Sequence, residues 1–147
     1  MTELSPAPLS VRTPAFLVDQ AVVLLLVVVP ALLMGASPTA LLEPGRTRTV
    51  VFLLLMAVAF VYHLLFEWLT GRTPGKRLFG LRVVDDEGKP LGFVGSFLRN
   101  ALRLVDGLGY WSVAVVVILF RGDGKRLGDV VGRTLVVRAD SVEPMAR

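Results

Sequence analysis

A single carboxylate inside a long apolar run constrains this chain more than any other feature. From Pro14 to Met34 the residues are almost all Ala, Val, Leu, Phe and Met, and Asp19 carries the only charge. As a helix the run is about 31 Å long, enough to cross the hydrocarbon core of a bilayer. Thr13 suits a cap, Pro14 suits the first helical position, and Arg12 stands just outside. Asp19 then sits roughly 7–8 Å into the helix. An ionised carboxylate at that depth costs a few kcal/mol unless it faces protein or water and has a partner. Arg12 is on the same face but about 10 Å away, and helical side chains lean toward the N-terminus, so Arg12 leans away from Asp19. Each charge is expected to find its partner on a different helix.

Composition supports a membrane setting. The chain has 147 residues, of which 54% are hydrophobic, and a mean hydropathy of +0.67. Its apolar residues lie in long blocks, which predicts a small integral membrane protein of one domain. Cysteine is absent, so disulfides and thiolate metal sites are excluded. A net charge of +4 does not point to nucleic acid, because basic residues beside spans follow the positive-inside bias. Residues 1–11, with Pro6 and Pro8, read as a flexible tail without the basic start of a secretory signal, so the first helix is expected to remain in the mature protein.

A second span is predicted from about Thr49 to Leu69, carrying His63 and Glu67 one turn apart, with Tyr62 and Trp68 as interface aromatics. Between the spans, Gly35 to Arg48 reads as a short loop, and Pro30 as a kink or early stop of the first. After the second span come three glycines and a proline between Gly71 and Gly80. Leu81–Val84 then reads as a strand and Asp86–Lys89 as its turn. Phe93 to Val105 is an apolar helix holding Arg99 and Arg103, ended by Asp106-Gly107-Leu108-Gly109. Tyr110 to Phe120 is apolar but short, and Thr134–Val137 is a second β-branched strand.

Charge decides the topology. The 71–92 loop and the tail after Arg121 are both basic, which places them and the N-terminus in the cytoplasm. The apolar segments after Phe93 are each too short to span, and they fit a re-entrant helical hairpin with its tip at Asp106–Gly109. The alternative is a third span over 104–120. The fold class is therefore all-α and membrane-integral. It has two full transmembrane helices plus a third span or re-entrant hairpin, and a small cytoplasmic β element.

In this arrangement Asp19, Glu67, Arg99 and Arg103 gather at similar depth with His63 beside them, nearly balanced in charge. Two readings stay open. Buried ion pairs can specify how helices assemble while adding little stability. Carboxylates and a histidine lining a polar notch can instead bind a cation or relay protons. Other motifs carry less. Gly71 to Lys76 has three residues between its glycines where a nucleotide-binding loop has four, and Arg77 stands where Ser or Thr would hold magnesium. Arg72, Lys76 and Arg77 are instead expected to contact anionic lipid headgroups. His63 has no second His or Cys to complete a zinc site. No nucleophile elbow or helical His-Glu-x-x-His is present, and neither an enzyme nor a cofactor is predicted.

Several segments resemble the RDD family of small prokaryotic membrane proteins. They are Arg12 with Ala15-Phe16-Leu17-Val18-Asp19, the stretch Glu67 to Arg82 with its Thr-Pro-Gly-Lys, Leu98-Arg99-Asn100, and Arg126 to Val137. The resemblance covers about 12–138, leaving tails at 1–11 and 139–147. The family is named for one arginine and two aspartates. Arg12 and Asp19 match the first two, and Asp129 is placed as the second aspartate, with Asp106 next. Gly132-Arg133 departs from the Ala-Gly that similar proteins often carry there. The resemblance implies a cell-membrane protein with its N-terminus cytoplasmic. Transport has been suggested for the family, and sodium/proton antiport has been linked to some members. It also implies that Asp129 reaches Arg12. The function expected is transport of an unidentified ligand, cation- or proton-coupled, by a homo-oligomer or with a partner membrane subunit. The alternative is a non-transporting accessory or assembly subunit.

Overall fold

The structure, a computed structural model, describes residues 4–108 and 133–142, the side chains of 106–108 excepted. Helix α1 runs over Leu9–Leu33, starting at Leu9 rather than Pro14. The tertiary structure sets this start. The Ala7 N–H donates to the Val136 carbonyl at 2.8 Å, which pins the chain to the sheet, and extended Pro8 then leads straight into the helix. Thr13 and Pro14 therefore lie inside the helix and cap nothing, and Arg12 is a helical residue. Part of the expected N-terminal tail is also ordered, with Ala7 buried in the core. At the far end the helix passes Pro30 and stops three residues later.

The expected loop between the spans holds a short helix, α2 (Pro38–Leu42), whose Ser37 side chain accepts from the Ala40 N–H. Helix α3 (Arg46–Thr70) is the second span, ended by Gly71 in the left-handed region at φ 68. A second short helix follows, α4 (Pro74–Leu78), with Thr73 as its cap and Pro74 at its start.

Strand β1 (Leu81–Asp85) pairs antiparallel with β2 (Thr134–Arg138), in the register Val83 opposite Val136 and Val84 opposite Leu135. Alternation gives the ribbon two buried faces. Leu81, Val83 and Val136 pack on Ala7, Val11, Ala15 and Leu91. Val84, Leu135 and Val137 pack with Leu4 and Val142. The segment expected as a C-terminal tail thus contributes through Val142, after a 3-10 turn at Ala139–Ser141. Helix α5 (Phe93–Leu108) runs through Asp106 and Gly107, which the sequence reading made a break. It lies along α3 through Phe97 on Phe60 and Phe93 on Trp68, with ring centroids 5.6 and 5.1 Å apart.

Away from the sheet, α1 and α3 expose Leu17, Leu25, Leu33, Leu53 and Leu54. Both helices are long and apolar enough to cross a membrane, and little of their surface is covered by protein. A bilayer supplies the missing apolar surroundings, and the chain is a membrane protein with at least two spanning helices. The apolar segment at 110–120 lies outside the described residues, and with it the choice between a hairpin and a third span.

Candidate functional site

Where α1, α3, α4 and α5 meet the sheet, a group of polar side chains is almost wholly buried: Arg12, Asp19, His63, Glu67, Lys76, Arg99 and Asn100. The Thr-Pro-Gly-Lys segment assembles one half of it. Thr73 accepts from the Lys76 N–H at 3.3 Å as the α4 cap and donates its own hydroxyl to Asp19 Oδ2. The Gly75 N–H donates to Asp19 Oδ1 at 2.8 Å, and the Tyr62 hydroxyl donates to the same oxygen at 2.9 Å. A carboxylate on the free N–H groups of a helix start is a favourable pairing. Glycine is required at position 75 because a Cβ there would lie 2.0 Å from the Ala15 carbonyl oxygen. The motif is thus the docking face of α4 on α1.

Glu67 organises the other half. Its Oε1 receives the Lys76 ammonium, with Arg103 Nη2 at 3.7 Å. Its Oε2 accepts from Arg99 Nε at 3.0 Å and from Asn100 Nδ2 at 3.1 Å. Arg99 also donates through Nη1 to Thr134 Oγ1 at 3.2 Å, tying α5 to β2. Ser96 donates to the Leu64 carbonyl at 3.1 Å and fixes α5 against α3 one turn earlier.

The sequence reading placed Asp19, His63, Glu67, Arg99 and Arg103 together, and the structure does so. It corrects three details. Arg99 and Arg103, expected as candidate partners of Asp19, lie against Glu67, while Asp19 is held by the neutral donors Tyr62, Thr73 and Gly75. Lys76, expected at the lipid headgroups, is only 8% exposed and is turned inward, because the cap at Thr73 aims this turn of α4 at Glu67. Arg77 is exposed and Arg72 half-buried. Tyr62, expected at the interface, is buried on Asp19. The sequence reading missed Thr73, Ser96, Asn100 and Thr134 as members. Only the fixed offsets of Ser96 and Asn100 along the face carrying Arg103 hinted at two of them. Asp129 lies outside the described residues, as does the side chain of Asp106.

The electrostatics are lopsided. Burial pushes the Lys76 ammonium down to about 7; Glu67 offsets part of that, while Arg99 and Arg103 add to it. Every carboxylate oxygen of Asp19 and Glu67 faces at least one donor. By contrast, both ring nitrogens of His63 and Nη1 of Arg103 are buried with no hydrogen-bond partner among the described residues. These groups line a small cavity of about 20 Å³, together with Arg12, Asp19, Lys76 and Arg99. Among the described residues no group of three or more His, Asp or Glu is placed to hold a metal ion.

A family model described as the RDD family matches residues 6–133, nearly the whole chain. No curated protein matches, and no solved structure does.

Proposed function

The chain belongs to the RDD family, and from that premise we propose that it is a transport protein of the cell membrane, coupled to cation movement through its buried polar cluster. The observation that carries this reading is His63. It is a titratable side chain without a partner among the described residues, beside a cavity at the end of an apolar span, where polar groups are expensive and mark pathways. Lys76, which lines the same cavity, is a group whose charge changes near neutral pH. The proton is the favoured coupling ion over sodium. A hard cation takes a shell of oxygen ligands, and the oxygens of Asp19 and Glu67 are already engaged by donors.

The cluster lies on the cytoplasmic side by the positive-inside bias, with the exposed Arg77 facing anionic headgroups. Pairing of β1 with β2 supports the re-entrant reading, since residues 86–133 then leave and return on one side. The two spans among the described residues are too few to enclose a pathway, so we take the transporting unit to be an oligomer.

A second reading has its own support. The cluster ties α1, α3, α4, α5 and β2 together, as expected of an assembly subunit whose charges specify packing. Purified protein in sealed vesicles, with an imposed pH or sodium gradient, separates the two. Coupled flux that is lost in His63→Gln while the oligomer persists supports transport. No flux in any gradient leaves the assembly reading.

A further inference from the structure

Among the side chains lining the cavity, most of the unspent hydrogen-bonding capacity is donor capacity; one nitrogen of a neutral His63 and, nearby in the cluster, Asn100 Oδ1 are the unpaired acceptors among the described residues. Arg103 carries five N–H groups; its ion pair among the described residues is with Glu67 Oε1, 3.7 Å from Nη2, and its Nη1 has no hydrogen-bond partner there. His63 is 1% exposed, and whichever tautomer it adopts, one ring N–H points at no acceptor among the described residues. The Lys76 ammonium has three protons and one carboxylate neighbour, Glu67. Each oxygen of the two carboxylates meanwhile already faces at least one donor. Arg12, Lys76, Arg99 and Arg103 bring four basic side chains to the cluster beside Asp19 and Glu67. Buried donors left unmade cost about 1–3 kcal/mol each, more when charged. A cavity walled in this way is complementary to an acceptor that bears negative charge.

We propose that this cavity binds a small monovalent inorganic anion of halide size, held by Arg103 Nη1, the His63 ring N–H and the Lys76 ammonium. Size selects the class. A cavity of about 20 Å³ admits one water-sized occupant and excludes sulfate, phosphate or a carboxylic acid. A halide accepts from several donors at once and needs to donate to none. The inference rests on reading this cluster as a functional site, but binding is measured apart from flux, so the failure of one is distinguishable from the failure of the other.

The test uses full-length protein in a neutral detergent, with chloride, bromide, gluconate or sulfate as sodium salts at equal ionic strength. A ligand that binds only the folded state raises the thermal midpoint with its concentration. Chloride and bromide are expected to raise it in a saturable manner, and gluconate and sulfate are not. Chloride NMR linewidths are expected to broaden with wild-type protein and to narrow again when bromide competes. Arg103→Gln and His63→Leu should each lose the halide-specific rise by removing a donor; His63→Gln, which keeps an N–H, should retain part of it. If neither donor-deleting variant folds, the wild-type linewidth competition decides. Equal midpoints in chloride and gluconate, with no competable broadening, would show the cavity to hold water only and overturn the proposal. So would a halide effect that survives unchanged in both Arg103→Gln and His63→Leu. Halide binding without any flux would leave this site standing and remove the transport reading alone.

Discussion

The backbone N–H of Gly75 donates to Asp19 Oδ1 at 2.8 Å, and the same glycine leaves no room for a Cβ, which would fall 2.0 Å from the Ala15 carbonyl oxygen. Backbone meets backbone here. The contact sets α4 on α1, and α4 in turn aims Lys76 at Glu67. Gly75→Ala is therefore expected to be strongly damaging, since a Cβ here would press on backbone. Overpacking typically costs about 1–3 kcal/mol, and the backbone here has no flexible side chain to yield. The yield of monodisperse protein in detergent and its thermal midpoint measure this. Gly92→Ala, where the added carbon meets nothing within 4 Å, is the control expected to change little.

Glu67 and Asp19 differ in the partners they would strand. Glu67→Gln leaves Lys76, Arg99 and Arg103 facing a neutral amide, and breaking one side of a buried ion group costs about 3–5 kcal/mol. Adding Lys76→Met should recover part of that loss, because one stranded charge is then removed. Thermal midpoints of the single and double variants, taken at one scan rate, test the coupling; strictly additive effects would argue against it.

Asp19→Asn is expected to be milder. Its three donors are neutral, and the asparagine oxygen still accepts from Tyr62 and Gly75 while its amide faces Thr73 Oγ1. The expected loss is that of weakened hydrogen bonds to a charged group, about 1.5–3 kcal/mol. If Asp19→Asn proves worse than Glu67→Gln, Asp19 has an ionic partner as well.

Lys76 predicts a pH dependence. Burial holds it at about 7 in the folded protein, against an ordinary value of 10.5. Between those limits the unfolded chain keeps a proton that the folded chain has released, so this group makes stability rise as pH rises from 7 toward 10. The groups facing it are Glu67 and His63 from α3, Asp19 and Arg12 from α1, and Arg99 and Arg103 from α5. The slope of thermal midpoint against pH over that window should be smaller in Lys76→Met. An unchanged slope would show that Lys76 stays protonated when folded.

The strand pairing predicts sidedness. Lys89 follows β1 and Asp140 follows β2, so single cysteines at these exposed positions should react alike with a membrane-impermeant thiol reagent on intact cells. The chain has no native cysteine to interfere. Labelling at position 140 but not at 89 would place the two strand ends on opposite sides and contradict the pairing.

Sequence alone determined the elements whose cause is local. Two apolar runs of span length had to become membrane helices, since only a helix satisfies its own backbone in lipid. β-branched runs on either side of position 110 read as strands, and charges inside the spans need partners within the protein, while the pairing of the two strands was decided by the fold. Tertiary structure decided what depends on close approach. That Lys76 met Glu67 followed from the contact of Gly75 with Ala15, and that Arg99 and Arg103 did so followed from α5 lying on α3, steric facts that no periodicity encodes. Lys76 read as a headgroup anchor because a basic residue after a span is normally one, and only the cap at Thr73 turned it inward. Tyr62 read as an interface aromatic for the same reason, until the position of Asp19 gave its hydroxyl a buried partner. The start of α1 moved to Leu9 because Ala7 is bonded to a strand more than a hundred residues away in sequence. Patterns of 2.0 and 3.6 residues register burial and secondary structure, while the partners of buried polar atoms are fixed by packing between distant segments.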